Sequence, residues 1–123
     1  MTQTELVTKV DTNLAELRSD IEKFVKENAK FKIGDVVLCS FSGDNGSYYV
    51  ITQLGFDKRK GVTYFANKIV KSTGEISYQS MHSDIGMPER YLSLSTLKVK
   101  KEEFSFYKEN RYFNKNIQIS IYV

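Results

Sequence analysis

The spacing of apolar residues changes once along this chain, at Phe31-Lys32-Ile33-Gly34-Asp35-Val36-Val37. Upstream, apolar residues recur every three or four positions, the period of a helix buried along one face. Downstream to about Lys100 they alternate or cluster between glycine-containing turns, the pattern of short strands. An α+β fold, with an N-terminal amphipathic helix followed by a small antiparallel β-barrel, accommodates both periods. The chain has 123 residues, the size of one compact domain able to bury a single core without staples.

Residues 1–30 form the helical unit. Thr2 and Glu5 have the spacing of a capping box. Val7, Val10, Leu14, Leu17, Ile21 and Phe24 then follow steps of three and four, and neither glycine nor proline interrupts them before Phe31. Glu5 with Lys9, and Glu22 with Lys26, lie four apart as favourable pairs on the polar face. A helix from residue 3 to residue 28 is about 39 Å long at ~1.5 Å per residue, longer than a small barrel is wide. Two arrangements therefore compete for the stripe: docking on the barrel of its own chain, or pairing with a second chain as a dimer. Leu6 and Val25 broaden it beyond a narrow seam, which favours a sheet as the partner. Phe31 takes the next place in the heptad count, so Phe31 and Ile33 are expected to tie the helix to the barrel.

Residues 31–100 carry the strand signals. Val36 to Phe41, Tyr48 to Phe56, Val62 to Val70 and Ile76 to Met81 read as strands. The segments between them are Ser42-Gly43-Asp44-Asn45-Gly46-Ser47, Asp57-Lys58-Arg59-Lys60-Gly61 and Lys71-Ser72-Thr73-Gly74. Leu92 to Lys100 reads as a last strand with a slip between Leu94 and Leu97. Short strands joined by tight turns make an antiparallel meander, and closure into a barrel removes its two open edges. The ordered set Gly34-Asp35-Val36-Val37, Tyr49-Val50-Ile51, Tyr64 to Ile69, Gly74 and Pro88-Glu89-Arg90-Tyr91-Leu92-Ser93-Leu94 resembles the Src-homology-3-like small barrels of bacteria and phages over residues 31–97. Such barrels have a "GD-x-V" turn leading the first strand and a one-turn helix with "E-x-x-L" leading the last. The resemblance implies the fold and a habit of binding nucleic acid, peptides or proteins on the barrel face and loops. It implies no catalytic residues.

Residues 101–123 interleave Phe104, Phe106, Tyr107, Tyr112 and Phe113 with Lys108, Arg111 and Lys115, and end in an alternating strand with Ile117, Ile119 and Ile121. A β-hairpin extension that adds to the sheet or covers the helix is expected here. The same mixture also suits stacking on bases and holding phosphates.

The chemistry-bearing residues are sparse. Cys39 is the only cysteine and His82 the only histidine, so no intrachain disulfide can form and a zinc site within one chain is not expected. Ser80, His82 and Asp84 share a face of an extended chain, but at ~3.3 Å rise per residue their side chains stand about 7 Å apart, too far for a relay. Cys39 reads as core filling on the first strand. Neither an enzyme nor a cofactor site is expected. No apolar run approaches the ~18 residues of a membrane span, and Met1 to Glu5 carry no secretory leader, so a cytoplasmic location is expected. The best anion surface is Lys58, Arg59 and Lys60 with Lys68, extended by Arg111 and Tyr112. The net charge of +3 falls short of what strong non-specific DNA binding requires. The expected function is that of a non-catalytic binding module acting through protein–protein contacts or self-association. Small accessory proteins of phages and mobile elements that inhibit host nucleases or defence systems fit this description. The alternative is a nucleic-acid-binding barrel using the basic turn.

Overall fold

The computed structural model describes residues 14–40, 46–80, 86–103 and 113–120. Helix α1 spans Leu14–Asn28. It ends at Asn28, the end expected for the helix, with the Asn28 side-chain amide donating to the Phe24 carbonyl at 2.9 Å and the Ala29 N–H to the Val25 carbonyl at 2.8 Å. Thr2, Glu5, Val7 and Val10 lie outside the described residues. On the polar face Glu22 pairs with Arg18, one turn earlier, at 3.3 Å.

The Gly34-Asp35 turn owes its residues to specific bonds. Gly34 adopts φ +96°, a region that favours glycine, and its N–H donates to the Ile51 carbonyl at 2.8 Å. The Asp35 carboxylate accepts the Lys32 N–H at 2.8 Å, and the Asp35 carbonyl accepts the Ile51 N–H at 2.9 Å. The turn is thereby fastened across the sheet before the first strand begins.

Seven strands follow: β1 Val36–Cys39, β2 Ser47–Asp57, β3 Gly61–Ile69, β4 Ile76–Ser80, β5 Met87–Pro88, β6 Leu92–Leu94 and β7 Asn114–Ser120. A one-turn 3-10 helix, Glu89–Tyr91, stands directly before β6, as the "E-x-x-L" pattern predicts. The strand order is β4-β3-β2-β1-β6, with β5 added to β3 and β7 to β2. The register of β2 shifts between Ile51 and Gln53, where the Thr52 hydroxyl donates to the Phe65 carbonyl at 3.2 Å. Such a bulge bends a strand and lets it change neighbours. Val50 and the residues before it pair with β1, whereas Gln53 to Asp57 pair with β7.

Three expectations are corrected. The sheet is not closed into a barrel: β4 and β6 end the strand order, and no ladder joins them among the described residues. The last strand stops at Leu94 rather than Lys100: the Ser95 N–H still donates to the Val36 carbonyl of β1 at 2.8 Å, but Leu97 and Val99 then turn onto the cluster of Val50, Ile69 and Ile76. Finally, β7 pairs with β2 in parallel rather than in a meander. A strand reached through a long connection is free of the antiparallel constraint that a tight turn imposes. Phe104 to Tyr107, the other half of the expected hairpin, lie outside the described residues.

Alternation along the strands produces two apolar clusters on opposite faces. The main core joins Leu17, Ile21 and Val25 of α1 to sheet residues including Ile51, Phe56 and Tyr64. Phe31 is buried within it and meets Tyr64 edge to face at 5.3 Å. Ile33 is half-buried and stands outside that core. The smaller cluster gathers Val50, Ile69 and Ile76 beneath Val36, Tyr48, Leu97, Val99 and Phe113.

Candidate functional site

The basic turn Lys58-Arg59-Lys60 closes the β2–β3 hairpin, and a buried carboxylate orders it. Asp57 accepts the N–H groups of Arg59 and Lys60 on one oxygen, both at 2.9 Å, while the Lys58 N–H donates to the Ser120 carbonyl of β7 at 2.9 Å. Arg59 and Lys60 are exposed and Lys58 is half-buried. All three backbone donors are thus engaged, so an arriving anion meets side chains only and finds no backbone nest.

Lys68 does not join this turn. It stands opposite Tyr49 in the β2–β3 ladder, at the far end of the hairpin from the Asp57–Gly61 pair. Eight residues of strand separate Lys60 from Lys68, roughly 26 Å at ~3.3 Å per residue. Tyr49 belongs to the main core, so Lys68 lies on the face turned towards α1. Arg111 and Tyr112 lie outside the described residues.

The helix stripe is divided in the same way. Leu17 and Ile21 are buried in the chain's own core and Phe24 packs against it, meeting Phe56 edge to face at 6.0 Å. Leu14 begins α1. The stripe is therefore docked on the sheet from Leu17 onwards.

Pattern reading missed a polar junction beneath the end of α1. The Tyr64 hydroxyl donates to the Glu89 carboxylate and accepts the N–H groups of Lys30 at 2.9 Å and Phe31 at 3.3 Å. Glu89 also accepts the Lys30 N–H at 2.9 Å. Two donors that follow the helix end, inaccessible to any strand ladder, are thereby satisfied by a phenol and a carboxylate from β3 and the 3-10 turn. The signal was the polar hydroxyl of Tyr64 within an otherwise core-like strand, which needs a partner when buried. Burial first, and then the bond to Glu89, hold the Tyr64 phenol well above its ordinary value.

Tyr64→Phe is expected to destabilise the fold by about 1–3 kcal/mol, because it leaves the Phe31 donor unpaired inside the protein. The folded chain keeps the Tyr64 proton above pH ~10, where an unfolded tyrosine loses it. Its contribution is therefore fully present below pH ~10 and is lost as pH rises beyond that value, at up to ~1.4 kcal/mol per pH unit. Urea unfolding at rising alkaline pH should show a steeper loss for the wild type than for Tyr64→Phe, and parallel losses would refute this role.

Among the described residues, no group of three or more histidine, cysteine, aspartate or glutamate side chains could hold a metal, and no helix is long and apolar enough to cross a membrane. Cys39 is buried; His82 and Asp84 lie outside the described residues. Comparison with protein-family models, curated proteins and solved structures finds no match to this chain.

Proposed function

We propose that this chain is a non-catalytic binding module that acts through protein–protein contacts in the cytoplasm, as phage or mobile-element accessory proteins do when they inhibit a host nuclease or defence system. The observation that carries this reading is the edge at β6. Leu92 to Leu94 pair with β1 on one side, no strand covers the other side among the described residues, and Leu94 is 68% exposed beside it. An extended partner segment added there would gain ladder hydrogen bonds and an apolar contact with Leu94. Self-association through the helix is the weaker form of the proposal, because Leu17, Ile21 and Val25 are already spent in the chain's own core.

The fold belongs to the same proposal: a Src-homology-3-like small barrel left partly open. The order β4-β3-β2-β1-β6, the Gly34-Asp35 turn and the Glu89–Tyr91 turn before β6 support it. The test is affinity capture from the native host with the wild type and with Leu94→Lys. A defined protein that the wild type retains and Leu94→Lys loses, at unchanged thermal stability, is the expected result. Equal retention by both would remove β6 from the binding surface.

A second reading, a nucleic-acid-binding barrel, rests on Arg59 and Lys60, exposed on an ordered turn with no ion pair among the described residues. It requires salt-sensitive binding to short RNA or DNA that weakens when Lys58, Arg59 and Lys60 become alanine. Binding that survives this triple change would show that the turn takes no part.

A further inference from the structure

A second cationic surface lies on the sheet face opposite α1. After β6 the chain crosses that face as an extended strap whose burial alternates: Leu97 and Val99 are half-buried in the smaller apolar cluster, whereas Lys98 and Lys100 are exposed. The two inward anchors therefore force the two lysines outward together, about 7 Å apart at ~3.3 Å per residue. The strap is pinned to the β3–β4 turn, where the Lys100 N–H donates to the Gly74 carbonyl at 2.9 Å. A side chain at Gly74 would come within 3.2 Å of the Lys98 carbonyl, so the bare glycine permits this close approach. The turn itself carries exposed Lys71, whose ammonium sits 5.7 Å from the centre of the half-buried Tyr48 ring. Cations from two distant parts of the chain, one of them over an aromatic ring, thus share one end of one face.

We infer that Lys71, Lys98 and Lys100 bind the phosphate backbone of a single-stranded nucleic acid, with Tyr48 as the neighbouring aromatic surface. This inference keeps only the ligand class of the second reading, a nucleic acid, and replaces its basic-turn contact with the strap, so the two predict opposite outcomes for the Lys58, Arg59 and Lys60 variant. Exposed ammonium groups gathered on one face beside an aromatic ring match an extended polyanion with unstacked bases, the combination that single-strand sites use. Glu75, Glu102 and Glu103 are the carboxylates close by in sequence, and no described ion pair ties them to these lysines. Among the described residues, no carboxylate therefore holds these lysines back from an incoming strand.

The test is fluorescence anisotropy of the full chain with a labelled oligouridylate or oligodeoxythymidylate over a salt series. Changing Lys71, Lys98 and Lys100 together to alanine should weaken binding about tenfold or more and make the log–log salt slope shallower by about 2, as expected for three lost phosphate contacts on a single strand. The triple arginine variant should retain binding, and the Lys58, Arg59 and Lys60 triple alanine variant should bind as the wild type does. All substituted lysines in the strap and its turn are exposed, and an unchanged thermal transition verifies the fold of each variant. Loss only in the basic-turn variant would overturn this inference while leaving the nucleic-acid reading in place. No binding by the wild type at low salt would overturn both. Equal binding of polyglutamate would assign the surface to an acidic protein and also overturn the inference.

Discussion

Ile21→Asp should abolish the folded state. Ile21 is fully buried, between Leu17 and Val25 on the docked face of α1. Truncating such a side chain costs about 2–5 kcal/mol, and an unpaired buried carboxylate adds several more. The sum reaches the ~5–15 kcal/mol that holds a typical domain folded. Circular dichroism should show no cooperative thermal transition, whereas Lys23→Asp at an exposed position of the same helix should melt close to the wild type. The result also separates the two arrangements of the stripe. If Ile21 faced a second chain, Ile21→Asp would give a folded monomer in sedimentation, and the docked arrangement would be wrong.

Gly55→Ala should be the next most damaging change, at about 1–3 kcal/mol or more from overpacking. Gly55 stands opposite Thr63 in the β2–β3 ladder. A Cβ there would lie 2.7 Å from the Thr63 hydroxyl, 2.8 Å from the Phe65 ring and 3.0 Å from the Gln118 carbonyl of β7. Relief is blocked from three sides, and one of them is backbone. Thr63 is fully buried and its hydroxyl has no hydrogen-bond partner among the described residues. Removing that hydroxyl therefore opens space without breaking a bond. In a Thr63→Ala background, Gly55→Ala should cost less than in the wild type, with a coupling of about 1 kcal/mol from denaturant unfolding. Additive costs would place the strain at Phe65 or Gln118 instead.

Local physics made much of this fold legible. The change of period at Phe31, the glycine turns and the boundaries of β2 and β3 all arise from bonds or burial within a few residues, whereas the one-turn helix Glu89–Tyr91 is expected only from the resemblance carried by its "E-x-x-L" pattern. What escaped depends on distant partners. Met87 and Pro88 are too short a strand to carry a period, and they are strand only because Thr63 and Tyr64 lie alongside. The direction of β7 is decided by Gln53 to Asp57, far back in the chain. Lys68 and Lys71, three positions apart, fall towards opposite faces of the sheet, so the two lysines do not serve one surface. The candidate surfaces were legible only as charges: the Asp57 carboxylate that orders one and the strap that assembles the other are tertiary facts.

The parallel ladder between β2 and β7 also bears on the timing of synthesis. Gln53 to Asp57 leave the ribosome well before Asn114 to Ser120, so that half of β2 must wait with one edge uncovered while the intervening chain is made. Ile117, a buried member of the main core, arrives in the same late segment. Helix, hairpin and strap can assemble on the nascent chain, but neither core nor sheet is complete until residue 120 has emerged. During that interval the bare edge of β2 is the position at which a chaperone, or a second nascent copy, would find an unfilled strand site.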